Sequence, residues 1–313
     1  MLNWFQRQKN IAPTTVDANQ LSKELLASLM VMAWFVEAKD PYTGGHLWRV
    51  SRYANLLAQA GGLPEVDIAR ITLGAFLHDL GKVAVPDAIL GKTTKLTVEE
   101  FAVIKTHPEA GGRLLAGHPL GHLVLPAVEL HHERPDGKGY PYGLTAGMIP
   151  TDAAIVGICD AFDAMTSLRP YRKPLPLAKV IAILVEGSGS QFNPFWVGRF
   201  IELVEQDHFA NVMGHTDDGI PLHTCPHCGP TVLQQQHQHA GDLLACGLLA
   251  CGLCHSEMQL VEKHGQLTVT ATGKKAAAHL LQPQADNRLI KAVIEASLAQ
   301  IPISQLVRFT AHA

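Results

Sequence analysis

Two groups of side chains in this 313-residue sequence are suited to chemistry. The first is a set of imidazoles and carboxylates: His46, the doublet His78-Asp79, His107, the doublet His131-His132, and Asp160. Imidazole is the commonest metal ligand. A mixed set of this kind suits iron, manganese, nickel or zinc, and it is large enough for two ions that share a carboxylate. The second group is sulfur. Cys225-Pro226-His227-Cys228 and Cys251-Gly252-Leu253-Cys254 are two CxxC pairs with 22 residues between them. Each pair can take two corners of a tetrahedral zinc site. Cys246 is spare, and because Ala245-Cys246-Gly247-Leu248 echoes Ala250-Cys251-Gly252-Leu253 it is an alternative ligand, as are His227 and His255. A cluster of reduced cysteines without metal is the competing account.

Positioning these groups places demands on the chain. Adjacent residues on a helix diverge by about 100°. A doublet such as His78-Asp79 or His131-His132 therefore meets one metal only at a helix end or from a cavity between helices. Asp160 falls within the apolar run Ile155, Val156 and Ile158, where a lone carboxylate is costly unless paired or ligating. Leu21, Leu25, Leu29, Met32 and Val36 recur at helical spacing, which predicts a helix over Leu21–Lys39. Asp40-Pro41 and Gly44-Gly45 end it. Helices are also predicted over His46–Ala60, from Pro64-Glu65 to His78-Asp79, and over Thr97–Thr106, His107–Leu115, Leu123–His132, Asp152–Ser167, Leu177–Val185 and Pro194–Glu205. Thr97 with Glu100 has the pattern of a capping box. Strand alternation is nearly absent before residue 206.

Beyond Asp207, glycine, histidine and cysteine crowd together. Leu260, Val261, Leu267 and Val269 alternate around His264-Gly265, predicting a hairpin over Gln259–Thr270. Ala276–Leu281 and Asn287–Gln300 read as helical. The fold class expected is mainly α with a small α+β module: a flexible leader at 1–20, a helical domain at 21–205, and a cysteine- and histidine-rich, zinc-binding domain at 206–313.

Composition narrows the partners. There are 25 Lys and Arg against 28 Asp and Glu, so no basic excess exists to grip nucleic acid or an acidic membrane. Leu25–Val36 is too short to span a bilayer. Met1–Asn10 lacks the apolar core of a secretory signal, so the expected location is cytoplasmic, with the cysteines reduced. At 6% aromatic residues, an aliphatic, alanine-rich core is expected. Histidine stands out: seven of the 17 lie in 46–132 and ten in 208–312.

His78-Asp79-Leu80-Gly81-Lys82 and His131-His132-Glu133-Arg134-Pro135-Asp136-Gly137-Lys138-Gly139-Tyr140-Pro141 resemble motifs of the HD-GYP family of bacterial cyclic-dinucleotide phosphodiesterases. The resemblance runs from Leu21 to Val204. It includes Asp40 to His46, Asp160-Ala161-Phe162-Asp163-Ala164-Met165-Thr166 and Arg169-Pro170-Tyr171-Arg172. It implies an HD-superfamily helical bundle around two or three metal ions, with His46, His78, Asp79, His107, His131, His132 and Asp160 as ligands and Asp79 bridging. Lys82 falls where the family's lysine faces the scissile phosphate, and Arg169 and Arg172 where basic residues contact substrate. Gly137, Gly139 and Tyr140 fall in the loop that approaches the nucleotide. Tyr42 stands where members with a third ion have glutamate, so two ions are expected, iron or manganese first, nickel or zinc as alternatives.

The implied reaction opens cyclic di-GMP to linear pGpG, and on to GMP, by attack of a hydroxide that bridges the metals. The alternatives are a phosphodiesterase for 3′,3′-cGAMP and a catalytically silent cyclic-dinucleotide receptor. His118 and His122 match no family position and read as surface residues. Asp163 suits either orientation of a ligand histidine or pairing with arginine. The cysteine pairs resemble a zinc ribbon, here a structural zinc held by Cys225, Cys228, Cys251 and Cys254. No receiver or sensory domain is recognisable in front, so regulatory input is expected through this module or a partner. Its few basic residues favour protein contact or homodimerisation over nucleic acid.

Overall fold

The computed structural model describes residues 17–39, 44–92, 94–168, 173–247 and 253–302. The leader expected at 1–20 lies almost wholly outside them. Helix α1 (Ala18–Glu37) begins where the Asp17 side chain accepts the Asn19 N–H, and it buries Leu26, Leu29, Met30 and Ala33. Helices α2 (His46–Ala60) and α3 (Glu65–Leu77) follow as expected, α3 ending one residue before the His78-Asp79 doublet. A 3₁₀ turn (Leu80–Ala84) and the short α4 (Asp87–Leu90) lead to α5 (Val98–Ile104), which the Thr97–Glu100 capping box starts. Helices α6 (His107–Ala116), α7 (Gly121–Leu130), α8 (Thr151–Thr166), α9 (Leu177–Glu186) and α10 (Pro194–Glu205) complete the bundle.

The core lies between α2, α3, α7 and α8, where Val50, Leu57, Ile71, Leu73, Val124, Ala127, Ile155 and Ile158 are buried. Its aliphatic character was expected from composition, but four of the aromatic residues form a cluster within it. Tyr53, Phe162, Phe200 and Phe209 pack together with ring centroids 4.9–5.8 Å apart. Edge-to-face contacts of this kind add to the burial of each ring.

Three small antiparallel sheets follow among the described residues: β1 (His215–Asp217) with β2 (Ile220–Pro221), β3 (His223–Cys225) with β4 (Gly229–Val232), and β5 (Leu243–Ala245) with β6 (Ser256–Lys263) and β7 (Gln266–Lys275). The predicted hairpin is β6–β7. His264 and Gly265 both take positive φ at its turn, 53° and 76°, as a two-residue hairpin with the right twist requires. Only Ala278–Leu281 of the next predicted helix forms, as a 3₁₀ turn. Helix α11 (Asn287–Leu298) does not stay with the sheets. Its Leu289, Ile290, Ile294 and Leu298 join the helical core, against α1 and α3. The sheets keep a separate small core of Val232, Leu244, Met258 and Leu260 with Cys225 and Cys246. Among the described residues, no helix is long and apolar enough to cross a membrane.

Gly81 shows how closely the segments that carry the predicted ligands approach one another. A Cβ there would collide with the His107 carbonyl oxygen and lie 2.5 Å from Gly111 N, so the turn after Asp79 packs directly on the first turn of α6. Gly81→Ala should lower stability by about 1–3 kcal/mol. Urea denaturation is the measurement, and an unchanged midpoint would show that this backbone contact is dispensable.

Candidate metal centre

Helix ends carry the ligand set. His46 is the first residue of α2 and His107 the first of α6. His78-Asp79 follows α3 and His131-His132 follows α7, as the divergence of adjacent helical residues demands. Asp160 reaches in from the middle of α8. Together they form two clusters, His46, His78 and Asp79 beside His107, His131 and His132, each with ligand atoms within 4.8 Å of one another.

Asp79 joins the clusters. Its Oδ2 is 3.4 Å from His78 Nε2 and 3.6 Å from His46 Nε2, while Oδ1 is 3.4 Å from His107 Nε2. Asp160 Oδ1 adds to the first cluster, 3.5 Å from His46 Nε2. His132 completes the second, its ring centroid 4.1 Å from that of His131. One carboxylate facing both clusters is the arrangement of a bridging ligand.

The far side of each imidazole sets its tautomer. His78 Nδ1 lies 2.7 Å from the Ala75 carbonyl, His107 Nδ1 2.8 Å from that of Ile104, and His131 Nδ1 2.9 Å from that of Ala127. A carbonyl only accepts, so each Nδ1 donates and leaves an Nε2 lone pair facing inward. His46 Nδ1 donates instead to Asp163 Oδ2 at 2.9 Å. The Nε2 atoms of His46 and His78 are 3.3 Å apart, as are those of His107 and His131. Between His107 and His131 two lone pairs converge at this range, a contact that a cation between them relieves, so the donor set fits divalent metal.

The electrostatics agree. Burial lowers the pKa of His107 to about 4 and of His132 to about 3, and it pushes His78 and His131 below the ordinary value as well. These rings are neutral and ready to ligate at neutral pH. Burial acts the same way on His46, but hydrogen bonds to Asp163 and Asp79 outweigh it and raise that pKa to about 9. A metal at His46 therefore displaces a proton. Burial opposes the charge on Asp79, yet the ammonium of Lys82 and the neighbouring histidines hold its carboxyl well below the usual range. Lys82 Nζ is 2.6 Å from Asp79 Oδ2.

Beside the clusters a cavity of about 410 Å³ is lined by His131, His132, Asp160, Tyr140, Lys105 and Phe101. Tyr140 stacks on His132, with centroids 4.6 Å apart and planes at 28°. Gly137 has φ +72°, and a Cβ at Gly139 would lie 2.6 Å from Glu133 Cα, so both positions of the loop require glycine.

All seven predicted ligands thus meet in one place, with Lys82 against the bridging carboxylate and Gly137, Gly139 and Tyr140 alongside. Arg169, Arg172 and Tyr42 lie outside the described residues. His118 and His122 are half-buried rather than on the surface. His118 Nδ1 accepts the Leu120 N–H ahead of α7, and neither residue belongs to the clusters. Asp163 does both things weighed for it: it orients His46, and it takes Arg49 Nε at 2.6 Å and Nη2 at 3.0 Å.

Two supporting residues went unread in the sequence. Arg49 lies one turn after His46, but its partner is 114 residues away. Glu133 follows the His131-His132 doublet directly, and its oxygens accept the Tyr142 and Leu144 N–H groups at 2.6 and 2.8 Å, which ties down the glycine loop. Their positions next to ligands were the only signal. In the second constellation the structure brings Cys225, Cys228 and Cys254 together with Cys246. Cys251, the fourth ligand expected from the CxxC spacing, lies outside the described residues.

A family model described as HD domain matches residues 30–195. The chain belongs to the HD-domain family. Curated relatives are similar to it: the cyclic di-GMP phosphodiesterase response regulator RpfG of Xanthomonas campestris pv. campestris is 39% identical over 56% of this chain and 47% of its own length. A cyclic di-GMP phosphodiesterase of Thermotoga maritima is 38% identical over 58% of this chain and 50% of its own. The 3′3′-cGAMP-specific phosphodiesterase 2 of Vibrio cholerae is 37% identical over 60% of this chain and 36% of its own. These similarities bear out the HD-GYP recognition made from the motifs. The chain spans half or less of the length of these relatives.

Within this HD domain the Arg49–Asp163 pair behind His46 is the support most exposed to test. Both side chains are buried. Burial opposes the Asp163 charge, but Arg49 and His46 more than offset it and hold the carboxyl below its ordinary value. A depressed carboxyl contributes stability above its unfolded pKa, near pH ~4, and loses it as the pH falls through the lower folded value. Asp163→Asn leaves Arg49 uncompensated and should cost about 3–5 kcal/mol at neutral pH. The deficit should shrink toward about pH 3. Urea midpoints at the two pH values measure it, and a deficit that does not change with pH would remove the ion pair as its cause.

Proposed function

We propose that this HD domain hydrolyses a phosphodiester bond of a cyclic dinucleotide, with cyclic di-GMP as substrate and linear pGpG, then GMP, as products. The observation that carries the reading is the pair of three-ligand clusters bridged by Asp79 beside a nucleotide-sized cavity. His46, His78, Asp79 and Asp160 would hold one divalent ion and Asp79, His107, His131 and His132 a second, iron or manganese by the chemistry of the donors. When bound, such ions supply Lewis-acid stabilisation of phosphoryl oxygens and a water-derived nucleophile at neutral pH.

The chain's own residues do the rest. Lys82, next to Asp79, offers its ammonium to the charge that develops on the non-bridging oxygens. Arg169 and Arg172 serve the substrate phosphates. The Tyr140 ring is held by its stack on His132 and by the loop that Glu133 ties down, and with Phe101 it offers a flat apolar surface for a base. Residues 21–205 act as the catalytic unit and 206–313 as a zinc-containing module for a protein partner or a second copy, in a cytoplasmic protein.

The relative named as specific for 3′3′-cGAMP favours a second reading with that substrate and the same chemistry. A silent receptor accords poorly with a complete ligand set. Iron- or manganese-loaded protein incubated with cyclic di-GMP and with 3′,3′-cGAMP, followed by chromatography, should give linear product, faster from cyclic di-GMP. Faster cGAMP cleavage would move the assignment to the second reading, and binding of both without turnover would sink the enzyme. Asp79→Ala should abolish turnover. Lys82→Ala should lower kcat about 10²–10³-fold, and unchanged kcat would remove its assigned role.

A further inference from the structure

Four thiols that the phosphodiesterase reading leaves unused converge on one point. The Sγ atoms of Cys225, Cys228, Cys246 and Cys254 all lie within 4.8 Å of one another, and those of Cys225 and Cys254 are 3.5 Å apart. None is in a disulfide, whose sulfurs would be about 2.0 Å apart. A tetrahedral zinc with bonds of about 2.3 Å sets its sulfurs about 3.8 Å apart, a separation that falls between the 3.5 Å of Cys225 and Cys254 and the 4.8 Å within which all four lie.

The strands explain which cysteines meet. Cys225 and Cys228 occupy the β3–β4 turn, where Cys225 faces Gly229. Cys246 continues the β5–β6 ladder, its N–H donating to the Ser256 carbonyl at 3.0 Å. That register brings Cys246 and Cys254 to the same end of the β5–β6 ladder. Around them the Cys254 N–H donates to Cys228 Sγ at 3.4 Å, Thr231 Oγ1 is 3.2 Å from Cys246 Sγ, and Ser256 Oγ is 3.2 Å from Cys254 Sγ. Such outer contacts orient thiolate ligands. Four sulfurs fill a tetrahedron.

We propose that Cys225, Cys228, Cys246 and Cys254 bind zinc, with Cys246 rather than Cys251 as the fourth ligand, and that this zinc braces the segment leading into His46. Leu233, directly after β4, packs where a Cβ on Gly44 would lie 2.8 Å from its side chain, and Thr216 Cα approaches Gly45 equally closely. The His215 carbonyl accepts Arg49 Nη1 at 3.0 Å. Arg49 holds Asp163, and Asp163 holds His46. The bracing role rests on the metal-centre reading above, whereas the ligand assignment does not.

Cobalt(II) titrated into the full chain under anaerobic conditions tests both. Thiolate-to-cobalt charge-transfer absorption reports only the sulfur site, whether or not the protein cleaves a cyclic dinucleotide. Cys251→Ser should keep the full band. Cys246→Ser should lose at least one thiolate's share of it and bind zinc about ten-fold or more weakly, and Cys246→His should recover tight zinc binding with three thiolates. A weakened band in Cys251→Ser, or a full band in Cys246→Ser, overturns the ligand assignment. If Cys246→Ser misfolds, failure of Cys246→His to recover zinc overturns it as well. Metal analysis of the same proteins reads the second part: Cys246→Ser should retain less metal at the histidine centre than Cys251→Ser, and equal contents would discard the bracing role.

Discussion

Gathering five imidazoles and two carboxylates into the middle of a helical bundle is the costly act around which this structure is arranged. Each group is buried or nearly so, and each would lose hydration without replacement if left alone. The cost is met on both sides of the ring. The outward-facing Nδ1 atoms of His78 and His131 donate to carbonyls at the ends of the helices they follow, that of His107 to the last carbonyl of α5, and that of His46 to Asp163. Inward-facing Nε2 atoms share Asp79 and Asp160 and the cations those groups are built to hold. Helix C-termini leave carbonyls unpaired, and these are the acceptors that His78, His131 and His107 use.

A second constraint follows from His46. Its partner Asp163 is a buried anion, and that anion is tolerable because Arg49 meets it with a two-pronged contact. Arg49 in turn spends its remaining donors on the Gly44 and His215 carbonyls and the Ser167 hydroxyl. A single guanidinium therefore ties the first metal ligand, the glycines that precede it and the first strand after the bundle into one unit. Helix α11 adds a tie of another kind, since its apolar face covers α1 and α3. The part of the chain beyond residue 206 is thus not a free appendage: hydrogen bonds join it to the metal centre at one point and hydrophobic burial joins it to the bundle at another.

Much of this was legible in the order of residues. Helical periodicity located α2 and α10 to the residue and most other helices to within a few, because an amphipathic face has to repeat every three or four positions. Thr97 and Glu100 announced a helix start that forms as written. The ligand doublets followed by glycine pointed to helix ends around a metal, and all seven predicted donors converge. Hidden were the groups whose meaning depends on a distant partner. Arg49 looks like any helix-face arginine until Asp163 stands beside it, and Glu133 looks like a solvated acid until the Tyr142 and Leu144 amides turn toward it. Helix α11 was recognised as a helix but assigned to the wrong neighbours, since periodicity says which face is apolar and not what covers it.

The sequence by itself determined the chemistry: which side chains can ligate, which turns need glycine, where helices begin and end. These are local properties, set by residue type and by spacings of a few positions. Only the tertiary structure decided partnership. It turned Asp79 so that its two oxygens face different histidine clusters, set Arg49 behind His46, and placed Cys246 beside Cys225, Cys228 and Cys254. The physical reason is that sequence spacing measures distance along the chain. Coordination and ion pairing depend on distance through space, which exists only once the helices and strands have packed.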